Sequence, residues 1–367
     1  MIRLLSALVA TTPLLLAVPA LGQAPQINLP PGFTLSVFAS GLGGARFMTL
    51  DPSGTLLVSV PGRGRVVALP ENSARGTAEA ITVVEGLDLP HGLAWKDGNL
   101  YVAETGRVLR FQYDAATRKA TGRTIIVPNL PRGGNHTTRT IAFGPDGRLY
   151  VSVGSSCNVC REEDARRSAI VRYNADGSGE ELFATGLRNA VGLAFAPTTG
   201  VLWATVNERD WRGDDVPPDL ITEVKARSFY GWPDCMVVHG RAVVDDRFGR
   251  SDRCPSVTLP TLEIQAHSAP LGLAFYTGRQ FPSAYHGDLF VAFHGSWNRT
   301  VPTGYKVVRV RFKDGKPVGV EDFATGWLRD GRVLGRPVDL IVGRDGALYL
   351  SDDMAGRVDR ITFRPPS

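Results

Sequence analysis

A six-bladed β-propeller of four-stranded antiparallel blades is the all-β fold that this 367-residue sequence predicts. Three observations carry that expectation. An apolar strand, a tight glycine turn and a second apolar strand recur six times. The turn glycines, Gly54, Gly98, Gly147, Gly200, Gly287 and Gly346, advance by 44, 49, 53, 87 and 59 residues, and roughly forty to fifty residues suit one four-stranded blade. Hardly any segment sustains the 3.6-residue apolar period of an amphipathic helix.

The elements follow in chain order. The first repeat spans 47–60 and turns at Ser53-Gly54; the second spans 92–103 and turns at Asp97-Gly98. The third, 141–153, turns at Asp146-Gly147, and the fourth, 192–205, at Thr199-Gly200. The fifth runs from 272–275 through a longer turn to 287–292, and the sixth covers 339–351 with Asp345-Gly346 at its turn. Asp-Gly, Ser-Gly and Thr-Gly between short strands are hairpin chemistry, because glycine enters positive φ without a steric penalty. A third strand follows several hairpins, at 65–69, 107–111, 170–173 and 306–312. The strand at 33–38 is expected to pair with the last one, at 358–363, closing the ring and hiding a sheet edge. The 87-residue interval holds an insertion at about 207–266 that carries Cys235 and Cys254.

Composition excludes several classes. With 43% hydrophobic and 21% charged residues the chain has ample material for a core, and 41 Gly with 25 Pro fit a turn-rich body rather than a disordered or coiled-coil chain. The net charge is +5, yet no window clusters five Lys or Arg, so a nucleic-acid footprint is absent. Of the 41 cations 35 are Arg, which offers a planar fork for carboxylates and phosphates, although a GC-rich genome gives the same bias.

Arg3 precedes an apolar run from Leu4 to Val18, and Ala20 and Gly22 stand before Gln23. That pattern reads as a signal peptide over 1–22, leaving 23–367 as an exported propeller with no membrane span after cleavage; an uncleaved anchor is the alternative. Four cysteines in an exported chain favour disulfides, and the spacing suggests Cys157–Cys160 and Cys235–Cys254. Arg161 stands where a haem-attachment motif requires His, and zinc lacks a second close pair of ligands.

The topology places the chemistry. Residues just before a blade's first strand and just after its second share one mouth of the ring. Before first strands stand Arg46, His91, His136 with Arg139, Arg188-Asn189, His267 and Arg336; after second strands come Glu104, Asn158, 207–211, Trp297-Asn298-Arg299 and Asp352-Asp353. Converging cations repel one another unless something negative sits among them, so an anionic ligand, polycarboxylate or phosphate, is expected on the axis. The alternative pairs each Arg with a carboxylate of a neighbouring blade. No glycine-rich phosphate loop and no nucleophile elbow occurs.

Gly134-Asn135-His136 ahead of the repeat at 141–153 resembles the soluble PQQ-dependent aldose and glucose dehydrogenases, as do 186–195 and Tyr230-Gly-Trp-Pro233. The stretch 206–215 looks most like the sorbosone dehydrogenase-like branch, whose relatives include fungal pyranose dehydrogenases. The resemblance implies a six-bladed fold and a sugar dehydrogenase that uses PQQ and Ca²⁺, with electrons leaving to a soluble acceptor such as a cytochrome or quinone. It implies that His136 is the general base and that Arg188 holds PQQ and stabilises charge on the quinone oxygen. Asn189, His267 and Arg336 fall where the family contacts the cofactor; His91 reaches the same mouth, and Arg299 is expected to replace a cofactor-contacting Lys. Backbone carbonyls of Arg209 and Asp210 take the place of the family's Gly-Pro Ca²⁺ ligands. Two other readings compete: a metal-dependent lactonase, which wants carboxylate and Asn ligands on the axis, and a non-catalytic propeller that binds glycans or proteins.

Overall fold

Six hairpins become six pairs of inner strands in the computed structural model, which describes residues 26–71 and 78–365. The signal peptide expected at 1–22 lies outside the described residues. Blade 1 runs outward as Met48–Leu50, Leu56–Val60, Arg65–Leu69 and Ile81–Glu85. Blade 2 is Leu93–Lys96, Asn99–Glu104, Arg107–Asp114 and Lys119–Val127, and blade 3 is Ile141–Phe143, Leu149–Val153, Ala169–Tyr173 and Glu181–Thr185. Blade 5 comprises Pro270–Phe275, Leu289–Phe293, Lys306–Lys313 and Lys316–Ala324.

Blade 6 takes three strands from the C-terminus, Pro337–Val342, Leu348–Asp352 and Arg357–Phe363. Its outermost strand is Phe33–Ala39, antiparallel to Arg357–Phe363 with Phe33 opposite Phe363. The ring therefore closes as the strand pattern predicts, and the edge of the last blade is covered.

Blade 4 departs from the expected boundaries. Its strands are Ala190–Phe195, Leu202–Val206, Asp219–Glu223 and Leu262–Ile264. The segment 207–266 is thus not one insertion: it contains the blade's third and fourth strands. The excursions are the loop 207–218 and the longer stretch 224–261. These two outer strands are short and lack the glycine-turn signature. The longer excursion adds Ser228–Phe229 as a parallel fifth strand to blade 3 and forms the hairpin Cys235–Val238 with Arg241–Val244. Cys235–Cys254 pins it, and Cys157–Cys160 clips the loop after blade 3's second strand.

The core is distributed, one apolar cluster between each pair of neighbouring blades. Second strands such as Leu56–Val60, Leu149–Val153 and Leu289–Phe293 are buried at every position, because a blade inside the ring has neighbours on both faces. Hub hydrogen bonds lock blades together: Thr205 Oγ1 donates to the Leu271 carbonyl (2.6 Å) and Ser351 Oγ to that of Arg46 (2.6 Å).

At the closure Phe33 meets Phe281, Phe363 and Phe323 at centroid distances of 4.7, 5.0 and 5.1 Å. Truncating such a buried ring leaves a cavity as well as losing transfer free energy. Phe33→Ala is expected to lower stability by about 3–5 kcal/mol in urea unfolding. A loss below about 1 kcal/mol would show that this strand does not seal the ring.

Candidate functional site

Strand polarity brings the loops before first strands and those after second strands to one mouth, where they line a cavity of about 430 Å³. That volume lies in the ~300–1,000 Å³ range of small-molecule sites. Arg46, His136, Arg188, Asn189, His267 and Arg336 enter it from ahead of inner strands. Asn207, Glu208, Asp210, His294, Trp297 and Asn298 enter from beyond second strands of blades 4 and 5. Leu271 forms part of the floor and packs with Phe47, Val191 and Val338, which seal the axis beneath.

His136 is oriented by the loop behind it. Its Nδ1 lies 2.9 Å from both the carbonyl oxygen and the hydroxyl of Ser155. The carbonyl only accepts, and the Ser155 hydroxyl donates its own proton to the Cys157 carbonyl (2.7 Å). Nδ1 must therefore carry the hydrogen, which leaves the Nε2 lone pair free. Gly154 makes the arrangement possible: a Cβ there would come within 2.4 Å of Asn189 Oδ1 and 2.6 Å of His136 Cβ. Burial, and after it the charge of Arg188, pull the imidazole down to about 3, so the ring is neutral at ordinary pH.

Arg188 spends all five N–H donors on the protein. Nε donates to the Asn158 carbonyl (3.0 Å), and Nη1 to the carbonyls of Asn207 (3.1 Å) and Glu208 (2.6 Å). Nη2 donates to Asn158 Oδ1 (3.1 Å) and Asp210 Oδ2 (2.8 Å). A guanidinium has five donors, so Arg188 acts on a ligand through its charge and has no hydrogen bond left to give. Asn158 belongs to the Cys157–Cys160 clip and also accepts from the Asp210 N–H (2.8 Å). One short disulfide loop thus positions both the imidazole, through Ser155 and Cys157, and the guanidinium, through Asn158.

Arg336 is the cation left over. Nε and Nη2 donate to the carbonyls of His294 (3.1 Å) and Gly295 (2.7 Å). Among the described residues it has no ion-pair partner and its Nη1 has no hydrogen-bond acceptor. Arg46, by contrast, pairs with Asp353 (2.6 Å), which also accepts from His294 Nε2 (3.0 Å). Burial drives His294 down to about 4 despite that carboxylate.

The carboxylates of the well differ. Asp219 receives the backbone N–H groups of Glu208 (2.8 Å) and Ala269 (2.9 Å), and Asp210 receives Arg188 and Asn298 Nδ2 (2.8 Å). Glu208 is buried and its carboxyl accepts from the backbone N–H of Arg209; burial pushes it up to about 7. Three non-glycine residues here sit in the left-handed backbone region, Trp211 (φ 66°), His267 (φ 65°) and Ala269 (φ 53°), a conformation that persists only where surroundings over-determine it.

Three expectations need correction. Arg139 is buried outside the lining, with Nη1 donating to the carbonyls of His136 (3.0 Å) and Thr138 (2.7 Å). His91 does not reach this well: it is buried at 1% exposure against Phe47 (4.2 Å between rings), with Nδ1 3.3 Å from the Arg139 carbonyl. Arg299 lies outside the lining, held by Asp215 (2.9 Å) and the Val301 carbonyl (2.9 Å). The Arg209 guanidinium forms an ion pair with Asp245, which leaves the backbone carbonyl expected as a Ca²⁺ ligand unengaged among the described residues. The Asp210 carbonyl accepts from Asn158 Nδ2 (3.0 Å) and keeps a second lone pair for a cation. Asn189 and His267 stand in the well as expected, His267 with Nε2 on the Gly213 carbonyl (2.9 Å). Ser155, Asp219 and His294 were not singled out. Only hydrogen-bond geometry shows what Ser155 does, and Asp219 opens a third strand that no turn signal marks.

Fold and site together define a six-bladed propeller with a cation-lined ligand well at one mouth. The chain belongs to the TrAA12-like family, which it matches over residues 27–362. It is 30% identical to an uncharacterised protein of Borreliella burgdorferi, over 92% of this chain and 91% of that one. It is 27% identical to the pyrroloquinoline quinone-dependent pyranose dehydrogenase of Coprinopsis cinerea, over 91% of this chain but 54% of that protein, about half its length. The holo PQQ domain of that pyranose dehydrogenase superimposes with a TM-score of 0.79 at 25% identity, covering 92% of this chain and 97% of the domain.

His136 makes stability depend on pH with a definite sign. The unfolded chain takes up a proton near the ordinary value of 6.5, whereas the folded imidazole refuses it until about 3. Stability is therefore lost as pH falls through that window. His136→Gln is expected to lose less stability than the parent between pH 6.5 and 4 in urea titrations, and the parent's imidazole NMR signal should stay neutral down to pH 4. Equal acid sensitivity in parent and variant would contradict this account of the well.

Proposed function

We propose that the protein is an exported PQQ- and Ca²⁺-dependent sugar dehydrogenase. It oxidises the anomeric hydroxyl of an aldose to the lactone, or an aldehyde such as sorbosone to the acid, and passes electrons to an external acceptor. The observation that carries this reading is the neutral imidazole of His136, with Nε2 free, in a well lined by cations. Family membership and the named pyranose dehydrogenase relative support the redox class. Two disulfides with no free cysteine suit an oxidising compartment. Among the described residues no helix is long and apolar enough to cross a membrane.

The donor set fits a polycarboxylate. Among the described residues Arg336 has an unused Nη1 and no carboxylate partner and the Asn189 amide faces the well without a side-chain partner, and Arg46 and His267 flank them. These residues would hold PQQ, with Arg188 contributing charge rather than a bond. A Ca²⁺ ion would find oxygen ligands at the Glu208 carboxyl and at the backbone carbonyls of Arg209 and Asp210. Bound there, PQQ supplies an electrophilic carbonyl carbon that accepts hydride, and Ca²⁺ supplies Lewis acidity.

The protein's own part is proton chemistry and position. As the anomeric carbon gives up a hydride, its hydroxyl gives up a proton, and the C–O bond becomes the lactone carbonyl. His136 Nε2 takes that proton, while Nδ1–H on the Ser155 carbonyl keeps the ring in the basic tautomer. Its basicity grows when negative charge enters the well, because that charge opposes Arg188. A lactonase would need axial carboxylates free for a metal, but Asp210 and Asp219 already hold Arg188, Asn298 and two backbone N–H groups.

Adding PQQ and CaCl₂ to the purified protein should give a shifted quinone absorbance and dye-linked oxidation of aldoses. His136→Ala should cut turnover by about 10²–10⁴-fold while still binding PQQ. Unchanged turnover in that variant removes the assigned base, and lactone hydrolysis without PQQ would select the hydrolase instead.

A further inference from the structure

Two tryptophans at the lip of the well are exposed where burial is the rule for so large an apolar group. Trp211 follows the second strand of blade 4 and is 70% exposed; Trp297 follows that of blade 5 and is 64% exposed. Their rings meet edge to face, with centroids 5.1 Å apart and planes at 82°. Trp297 also lines the well, so the aromatic pair continues that surface outward.

The display is held in place. The backbone of Trp211 is left-handed (φ 66°), a conformation a bulky side chain keeps only where its surroundings hold it there. Across the gap, Asn298 Nδ2 donates to Asp210 Oδ1 (2.8 Å) and the Thr300 N–H to Asp214 Oδ1 (3.0 Å). Arg299 Nη2 pairs with Asp215 (2.9 Å) and its Nη1 with the Asp214 carbonyl. The cation removed from the well is therefore part of the clamp that joins the two Trp-bearing loops. Two blades cooperate to hold indole faces in water, which an exposed apolar patch does not require unless something covers it.

We infer that Trp211 and Trp297 form a sugar-stacking subsite for the second unit of an oligosaccharide whose terminal unit enters the well. This rests on the dehydrogenase reading above. With cofactor and reacting ring inside about 430 Å³, any further unit lies at this lip. A pyranose presents a flat C–H face that an indole covers while the hydroxyls around it stay in water, the amphipathic match for which Trp suits interfaces.

The test uses glucose and gluco-oligosaccharides of two to four units, in the cello- and malto-series. Oligosaccharides, and not glucose, are expected to quench tryptophan fluorescence of the protein before any cofactor is added. In the reconstituted enzyme, Trp211→Ala should lower the ratio of oligosaccharide to glucose kcat/KM by about tenfold, and Trp211→Phe should restore most of it. An unmoved ratio with no quenching by any oligosaccharide overturns the subsite. So does a rise in the KM for the electron acceptor with the sugar ratio unchanged, which would make the pair an acceptor contact. If oligosaccharides quench but no sugar is oxidised, the subsite stands and the dehydrogenase reading falls.

Discussion

The guanidinium of Arg188 ties together the pieces on which the well depends. Its five donors join the Cys157–Cys160 clip of blade 3 to the loop after blade 4's second strand, through Asn158, Asn207, Glu208 and Asp210. Those segments are far apart in sequence and have little regular structure of their own. A buried charge that is fully hydrogen-bonded is strongly directional, and removing one partner leaves the rest stranded, at a cost of about 3–5 kcal/mol. The loops thus hold their shape because this cation leaves them few alternatives.

The same charge governs the acid–base chemistry next door. Arg188 is second only to burial in keeping His136 unprotonated, and Ser155 settles which nitrogen is the base. Clip, guanidinium and imidazole therefore form one unit. Arg336 differs in kind, since protein groups satisfy only part of its fork. The well combines one saturated cation that sets the electrostatics with one unsaturated cation that can receive a ligand's negative charge, which is why it suits a polyanion better than a neutral guest.

Much of this was legible beforehand because propeller geometry is repetitive. Glycine turns at a blade-sized period located the strands, and strand polarity alone sent Arg46, His136, Arg188, Asn189, His267 and Arg336 to one mouth. Adjacency on that mouth is a topological fact; engagement is not. His91 occupies the equivalent position in blade 2, yet it is packed under Phe47, and Arg299 is drawn off by Asp215. Side-chain pairings across 44 to 84 residues leave no trace in a local pattern. Blade 4 hides its outer strands for a related reason: they are connected by long excursions instead of turns, so no signal marks Asp219–Glu223 or Leu262–Ile264.

The central claim is that a multiply negative redox cofactor sits in this well against Arg336, with His136 Nε2 facing the substrate. A crystal structure of the protein loaded with PQQ and Ca²⁺ and soaked with an aldose tests it most directly. The expected result is quinone density above Leu271, a carboxylate on Arg336 Nη1, the cation on Glu208 and the sugar's anomeric hydroxyl at His136 Nε2. A cofactor bound elsewhere, or a well that stays filled with water at saturating PQQ, would contradict it.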